Sequence, residues 1–172
     1  MKLTGTLFRA HHPRWSYAPG SGQGAALHGG RFNPKGVAAL YTSRRLQTAW
    51  LEAQQSFPFK AQPMTLCTYL VDCEDVADLT SEDERARVGV EEAELNCPWE
   101  DIAAKGGVPP SWLLAQRLIG SGVSGILVRS FAYGAMSSDV NVVFWRWADK
   151  PPHQVRVVDD FGRLPRDDAS WR

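Results

Sequence analysis

Residues 28–52 read HGGRFNPKGVAALYTSRRLQTAWLE, and more of the fold is legible in this stretch than anywhere else in the chain. It opens on two glycines and an arginine, passes the turn formers Asn33-Pro34 and Gly36, and enters the apolar run 37–42 (VAALYT). That run has the length of a buried strand. Ser43 is placed to cap a helix over 44–56, in which Leu46, Ala49, Trp50 and Ala53 recur at helical spacing and mark the face expected to be buried. Turn, strand and helix in this order can bring Arg31, Tyr41 and Glu52 to one cleft. Gly29 and Gly30 lack a Cβ and let backbone approach a ligand closely. Arg31 beside them is a planar cation suited to a pyrophosphate or carboxylate. Each residue also has a structural reading: Arg31 as a surface ion-pair partner, Tyr41 as a core or rim aromatic, Glu52 as a solvated edge carboxylate.

Outward from this stretch, residues 3–9 alternate like a short strand, and 11–36 are rich in Gly, Pro, Ser and His. A long loop without regular structure inside a compact domain is often functional. Two prolines in 57–63 close the helix before them, and 64–71 (MTLCTYLV) reads as a strand. Residues 72–96 are acidic and predict loops with a short helix over 81–88. A helix follows over 99–105. After a Gly/Pro break, Ser111 caps another through Ile119, ended by Gly120 and Gly122. Residues 125–128 and 140–147 are the strongest strand candidates, and 153–158 is a further one. Strands interleaved with a few helices and long loops predict an α+β fold in one domain.

The 172 residues carry 19 basic and 19 acidic side chains, so no basic excess draws the chain to nucleic acid. Its apolar runs fall well short of the roughly 20 residues of a membrane-spanning helix. Residues 1–9 lack the apolar segment of a secretory leader, and the expectation is a cytoplasmic protein. Cys67, Cys73 and Cys97 have no CxxC spacing and read as reduced core or surface thiols. Seven tryptophans can fill a core or line a ligand cleft. His11, His12 and His28 have no carboxylate or cysteine at ligand spacing, so no metal is expected. Ser111 and Ser138 lack a GxSxG context, against a serine hydrolase. The acidic clusters Asp72, Glu74, Asp75 and Glu91, Glu92, Glu94 read as solvated faces, either of which can receive a basic partner.

The motifs GGRFNPKG, ALYTS and AWLE within 29–52 resemble the opening signature of RES-domain proteins, and GILVRSFA with NVVFWRW within 125–147 resembles the closing one. Residues 96–99 and the tail RDDASW (166–171) resemble the longer, ParT-like ADP-ribosylating branch. The similarity runs in family order along nearly the whole chain, so 1–172 is identified as a single RES domain. RES proteins are toxins of bacterial RES/Xre-type toxin–antitoxin pairs, with a fold similar to ADP-ribosyltransferases: a mixed β core, a few helices and long loops. The resemblance implies cleavage of the nicotinamide–ribose bond of NAD, with ADP-ribose passed to a protein acceptor such as a nucleotide-synthesis enzyme. NAD hydrolysis or phosphorolysis is the near alternative, and a nucleotide- or partner-binding module without turnover is the non-enzymatic one.

The same resemblance implies catalytic roles for Arg31, Tyr41 and Glu52. It implies a NAD-binding set of Arg9, Gly30, Arg31, Asn33, Tyr41, Ser43, Ser130 and Asn141, with no metal. Tyr133 departs from the family pattern, where proline or a small residue is expected after SFA. The implied partner is a cytoplasmic Xre-like antitoxin that masks the cleft and carries the DNA binding. That leaves this chain without direct nucleic-acid or membrane contact, and with room for a homo-oligomer in the complex. Nicotinamide is already a cationic leaving group, so its departure needs negative charge near the anomeric carbon rather than a strong acid. Glu52 would supply that charge or polarise the acceptor, Tyr41 would face the nicotinamide ring, Arg31 would hold the pyrophosphate, and Ser130 would donate to the ribose or the nicotinamide amide.

Overall fold

Two of the predicted strands are apolar without alternation because both their faces are covered. In a computed structural model, which describes residues 1–54 and 61–172, β5 (Gly125–Arg129) and β6 (Val140–Phe144) run antiparallel, with Ile126 opposite Val143. Leu127, Val142 and Phe144 enter one core with Leu3, Leu7, Tyr69 and Val155. Ile126, Val128 and Val143 enter a second core with Leu114 and Leu118 of the helix Pro110–Gly120. A strand buried on both faces gains from an apolar side chain at every position.

The other strands are β1 (Leu3–His11), β2 (Leu40–Ser43), β3 (Thr65–Cys73), β4 (Val76–Asp78) and β7 (His153–Val157). Together they form a seven-stranded sheet in the order β4-β5-β6-β2-β1-β3-β7, with only β4 and β5 parallel among the paired strands. The α-helices among the described residues are α1 (Gln23–His28), α2 (Leu46–Ala53), α3 (Glu82–Val88), α4 (Glu92–Leu95), α5 (Trp99–Ala104) and α6 (Pro110–Gly120). The fold is mixed α+β, as expected.

One discontinuity in the sheet makes the site. β1 and β3 stay in register from Leu3↔Cys73 to His11↔Thr65, but β1 and β2 meet at the single pair Phe8↔Ser43. Past that pair the two strands diverge, and a cleft opens between them.

Residues 11–36 are not structureless: they hold a 3-10 turn (Pro13–Trp15) and α1. With few apolar side chains of its own, the segment is pinned by indoles. Trp147 Nε1 donates to the carbonyl of Gly20, Trp112 Nε1 to that of Gly30 and Trp145 Nε1 to that of Phe32, at 2.8–2.9 Å. Those contacts account for three of the tryptophans. β2 starts at Leu40 rather than at 37.

Ser43 does not cap the next helix. It remains in β2, its hydroxyl donates to Asn141, and α2 begins at Leu46 without a side-chain cap. Ala49 is buried as expected, but Leu46 is exposed and Thr48 is fully buried. The inward face of α2 is rotated toward polar partners on β6 and the loop before it. Of the expected helix over 44–56 and its breaker at 57–63, residues 55–60 lie outside the described residues.

Two short elements in 72–96 escaped the pattern. β4 has three residues, and α4 is capped by a box of Glu91 and Glu94 instead of a hydroxyl side chain. Ser111 is not the cap of α6 either. Pro109 stands there, and Ser111 is the buried second residue of the helix, accepting from the Cys97 thiol. Gly120 belongs to the helix, and Gly122, at φ 89°, turns the chain out of it. All three cysteines are buried and unbridged.

Candidate functional site

A cavity of about 400 Å³ fills the split between β1 and β2, within the size range of small-molecule sites. Arg31, Tyr41 and Glu52 all line it, with Arg9 and Gly30, Ser43 and Asn141. The three side chains expected to converge do so.

Arg31 sits at the tip of a tight turn closed by paired backbone hydrogen bonds between Gly30 and Asn33. Its guanidinium donates to the carbonyls of Cys97 (2.8 Å) and Leu95 (3.3 Å) and stacks over the Phe131 ring at 4.2 Å. Burial lowers its pKa, against the pull of Cys97 and Glu52. Arginine is basic enough to stay charged regardless. The result is a half-buried, oriented cation on one wall, not a surface ion-pair partner.

Tyr41 holds that turn in place. Its hydroxyl donates to Asn33 Oδ1 at 2.7 Å and accepts from the Phe32 N–H at 3.0 Å. Burial pushes the phenol far above its ordinary pKa, so it stays protonated and keeps both roles. The ring lines the cavity, but the hydroxyl is committed to the turn. Gly30 is required for the same reason: a Cβ there would lie 2.6 Å from the Tyr41 hydroxyl and 2.7 Å from Asn33 Oδ1. Packing against Tyr41 and Asn33 by itself requires a glycine there. Asn33, expected in the NAD-binding set, points into the turn instead of the cavity. It is fully buried, does not line the cavity, and its amide nitrogen donates to Ala25, Pro34 and Val37 carbonyls.

Glu52 lines the same cavity from α2. Its Oε1 accepts the Ser130 hydroxyl at 2.5 Å and the Asn141 amide. Asn141 Oδ1 in turn accepts from Ser43 at 2.7 Å. Ser130, expected to donate to the ligand, is not among the lining residues, and its hydroxyl donates to Glu52. Arg9 reaches the cavity from β1 while its Nη1 holds the Pro19 and Ser21 carbonyls at 2.8 and 3.2 Å. An arginine and a hydrogen-bonded carboxylate in one cavity, among apolar and aromatic side chains, suit a ligand with an anionic group and an electron-poor reacting carbon.

Sequence reasoning missed the aromatic residues that complete the wall near Arg31. Trp99, from the start of α5, and Phe131, the residue after Ser130, both line the cavity. Their only signal was membership of the motifs NCPW and RSFA. Asp139 was also missed: it is buried beneath α2 and lies in no motif. Among the described residues, no helix is long and apolar enough to cross a membrane, and no three His, Cys, Asp or Glu side chains gather into a metal site.

Comparison with known proteins gives a family and a fold likeness. The model of the family described as "RES domain" matches residues 6–167. Among solved structures, a chain of the M. tuberculosis MbcT–MbcA toxin–antitoxin complex superposes with a TM-score of 0.64. That match covers 92% of this chain and 84% of the other at 20% identity, a likeness of fold. No curated protein matches the chain.

Proposed function

Because this chain belongs to the RES-domain family, we propose that it is the toxin of a toxin–antitoxin pair and uses NAD as substrate, cleaving the nicotinamide–ribose bond and passing ADP-ribose to a protein acceptor. The observation that carries this reading is the cleft itself. It holds the oriented Arg31 cation and the Glu52 carboxylate in one cavity, with Tyr41, Phe131 and Trp99 among its lining residues.

The chemistry follows from those groups. Arg31 takes the pyrophosphate, and the flat aromatic surfaces take the planar rings. As the C–N bond breaks, its electron pair leaves with nicotinamide, which becomes neutral, and positive charge grows on the ribose. A carboxylate already held by Ser130 and Asn141 need not reorganise to stabilise that charge, so it acts mainly on the transition state. The acceptor's nucleophile then bonds the anomeric carbon and gives up its proton, for which Glu52 is the available base. The solved neighbour is a toxin–antitoxin complex, which supports an antitoxin as partner, with the cleft as the surface it would mask.

Purified chain incubated with NAD labelled in the adenylate half tests the reading. Nicotinamide release with label moving onto protein is the expected result. Free ADP-ribose or its phosphate ester would replace the protein acceptor with water or phosphate, and absence of nicotinamide release would overturn the proposal.

A further inference from the structure

Asp139 is 2% exposed, and its carboxylate bonds both to the start of α2 and within the loop 130–139. Its Oδ1 accepts the Thr48 hydroxyl at 2.6 Å and Arg45 Nη1 at 3.2 Å, while Oδ2 accepts the Met136 N–H at 2.9 Å. Its own carbonyl accepts the N–H of Ser130 at 2.8 Å. Arg45 stands at the N-cap of α2, and Thr48 and Glu52, four residues apart, project from one face of the helix. The first two meet Asp139, and the third meets Ser130 and Asn141. Ser130 and Asn141 flank the loop that Asp139 closes. The carboxylate that would face the ribose is thus held through two rungs one helical turn deeper.

We infer that Asp139 is a positioning residue for Glu52: it locks the rotation and height of α2 against the 130–141 segment, so that the Glu52 carboxylate meets both donors. The inference rests on the NAD-cleaving reading above. Closing the Met136–Asp139 turn would need only the Met136 contacts of this acid. It also joins the two segments that together build the Glu52 site. Thr48 supports the same reading, because a fully buried threonine hydroxyl on an apolar helix face needs a partner, and Asp139 is that partner.

The test is a double-mutant cycle on the full-length chain. Nicotinamide release is measured for wild type, Asp139→Asn, Ser130→Ala and the double variant, with circular dichroism confirming that each is folded. Asp139→Asn keeps the shape and removes the charge. It is expected to lower kcat about tenfold with the KM for NAD changed less than twofold, and to cost far less once Ser130→Ala has already loosened Glu52. Thr48→Val, which removes one rung and keeps the volume, should reproduce the kcat loss in part if Asp139→Asn fails to fold. Equal losses in both backgrounds, or a wild-type kcat in folded Asp139→Asn or Thr48→Val, would overturn the positioning role while leaving NAD cleavage standing. A wild-type chain that releases no nicotinamide overturns both.

Discussion

Asn141 and Glu52, 89 residues apart, are joined by a hydrogen bond from the amide of one to Oε1 of the other, the same oxygen that accepts the Ser130 hydroxyl. The carboxylate therefore enters the cleft already oriented by two donors. Ser43 fixes Asn141 from behind, so three polar side chains from three parts of the chain serve one acid.

Glu52→Gln should leave the fold intact, because the glutamine carbonyl can still accept from Ser130 and Asn141. It removes the charge, and NAD consumption is expected to fall at least tenfold, about 1.4 kcal/mol or more of barrier. The check is the rate of nicotinamide release at saturating NAD. A wild-type rate would take Glu52 out of the chemistry.

Arg31 is planar, stacked on Phe131 and shared between two carbonyls. Lysine can carry the charge but cannot stack or fork. Arg31→Lys and Arg31→Ala are both expected to weaken NAD consumption at least tenfold, or about 1.4 kcal/mol. NAD titration calorimetry should show the defect in binding. If Arg31→Lys binds as tightly as wild type, charge alone suffices and the oriented fork is irrelevant.

Tyr41→Phe separates the ring from the hydroxyl. It keeps the aromatic wall but strips Asn33 and the Phe32 N–H of a partner. Leaving buried polar groups unpaired costs about 1–3 kcal/mol, which urea unfolding measures directly. A variant as stable as wild type would show that the hydroxyl does not brace the Arg31 turn.

His11 predicts a pH dependence of stability. It is 8% exposed, and among the described residues neither ring nitrogen has a hydrogen-bond partner. Burial, then the charges of Arg9 and His12, push its pKa down to about 4 from 6.5. Because the folded value lies below the unfolded one, the unfolded chain binds the proton first. Stability is full above about pH 6.5 and is lost as pH falls toward 4, by up to about 3 kcal/mol. His11→Leu should flatten that loss in urea melts at pH 7 and pH 4.5. Parallel losses in the two proteins would acquit His11.

The α+β class, the strands β5 and β6, and the order of Arg31, Tyr41 and Glu52 were legible in one dimension, because apolar periodicity and turn chemistry are local. Tertiary structure alone decided that Ser130 and Asn141 meet Glu52, that Cys97 holds Arg31 from 66 residues away, and that Asn33 turns inward. It also decided that α2 turns Thr48 inward and Leu46 outward. A hydrogen bond between distant side chains leaves no period in the sequence. It exists only once packing has set the distance and direction between the groups that make it.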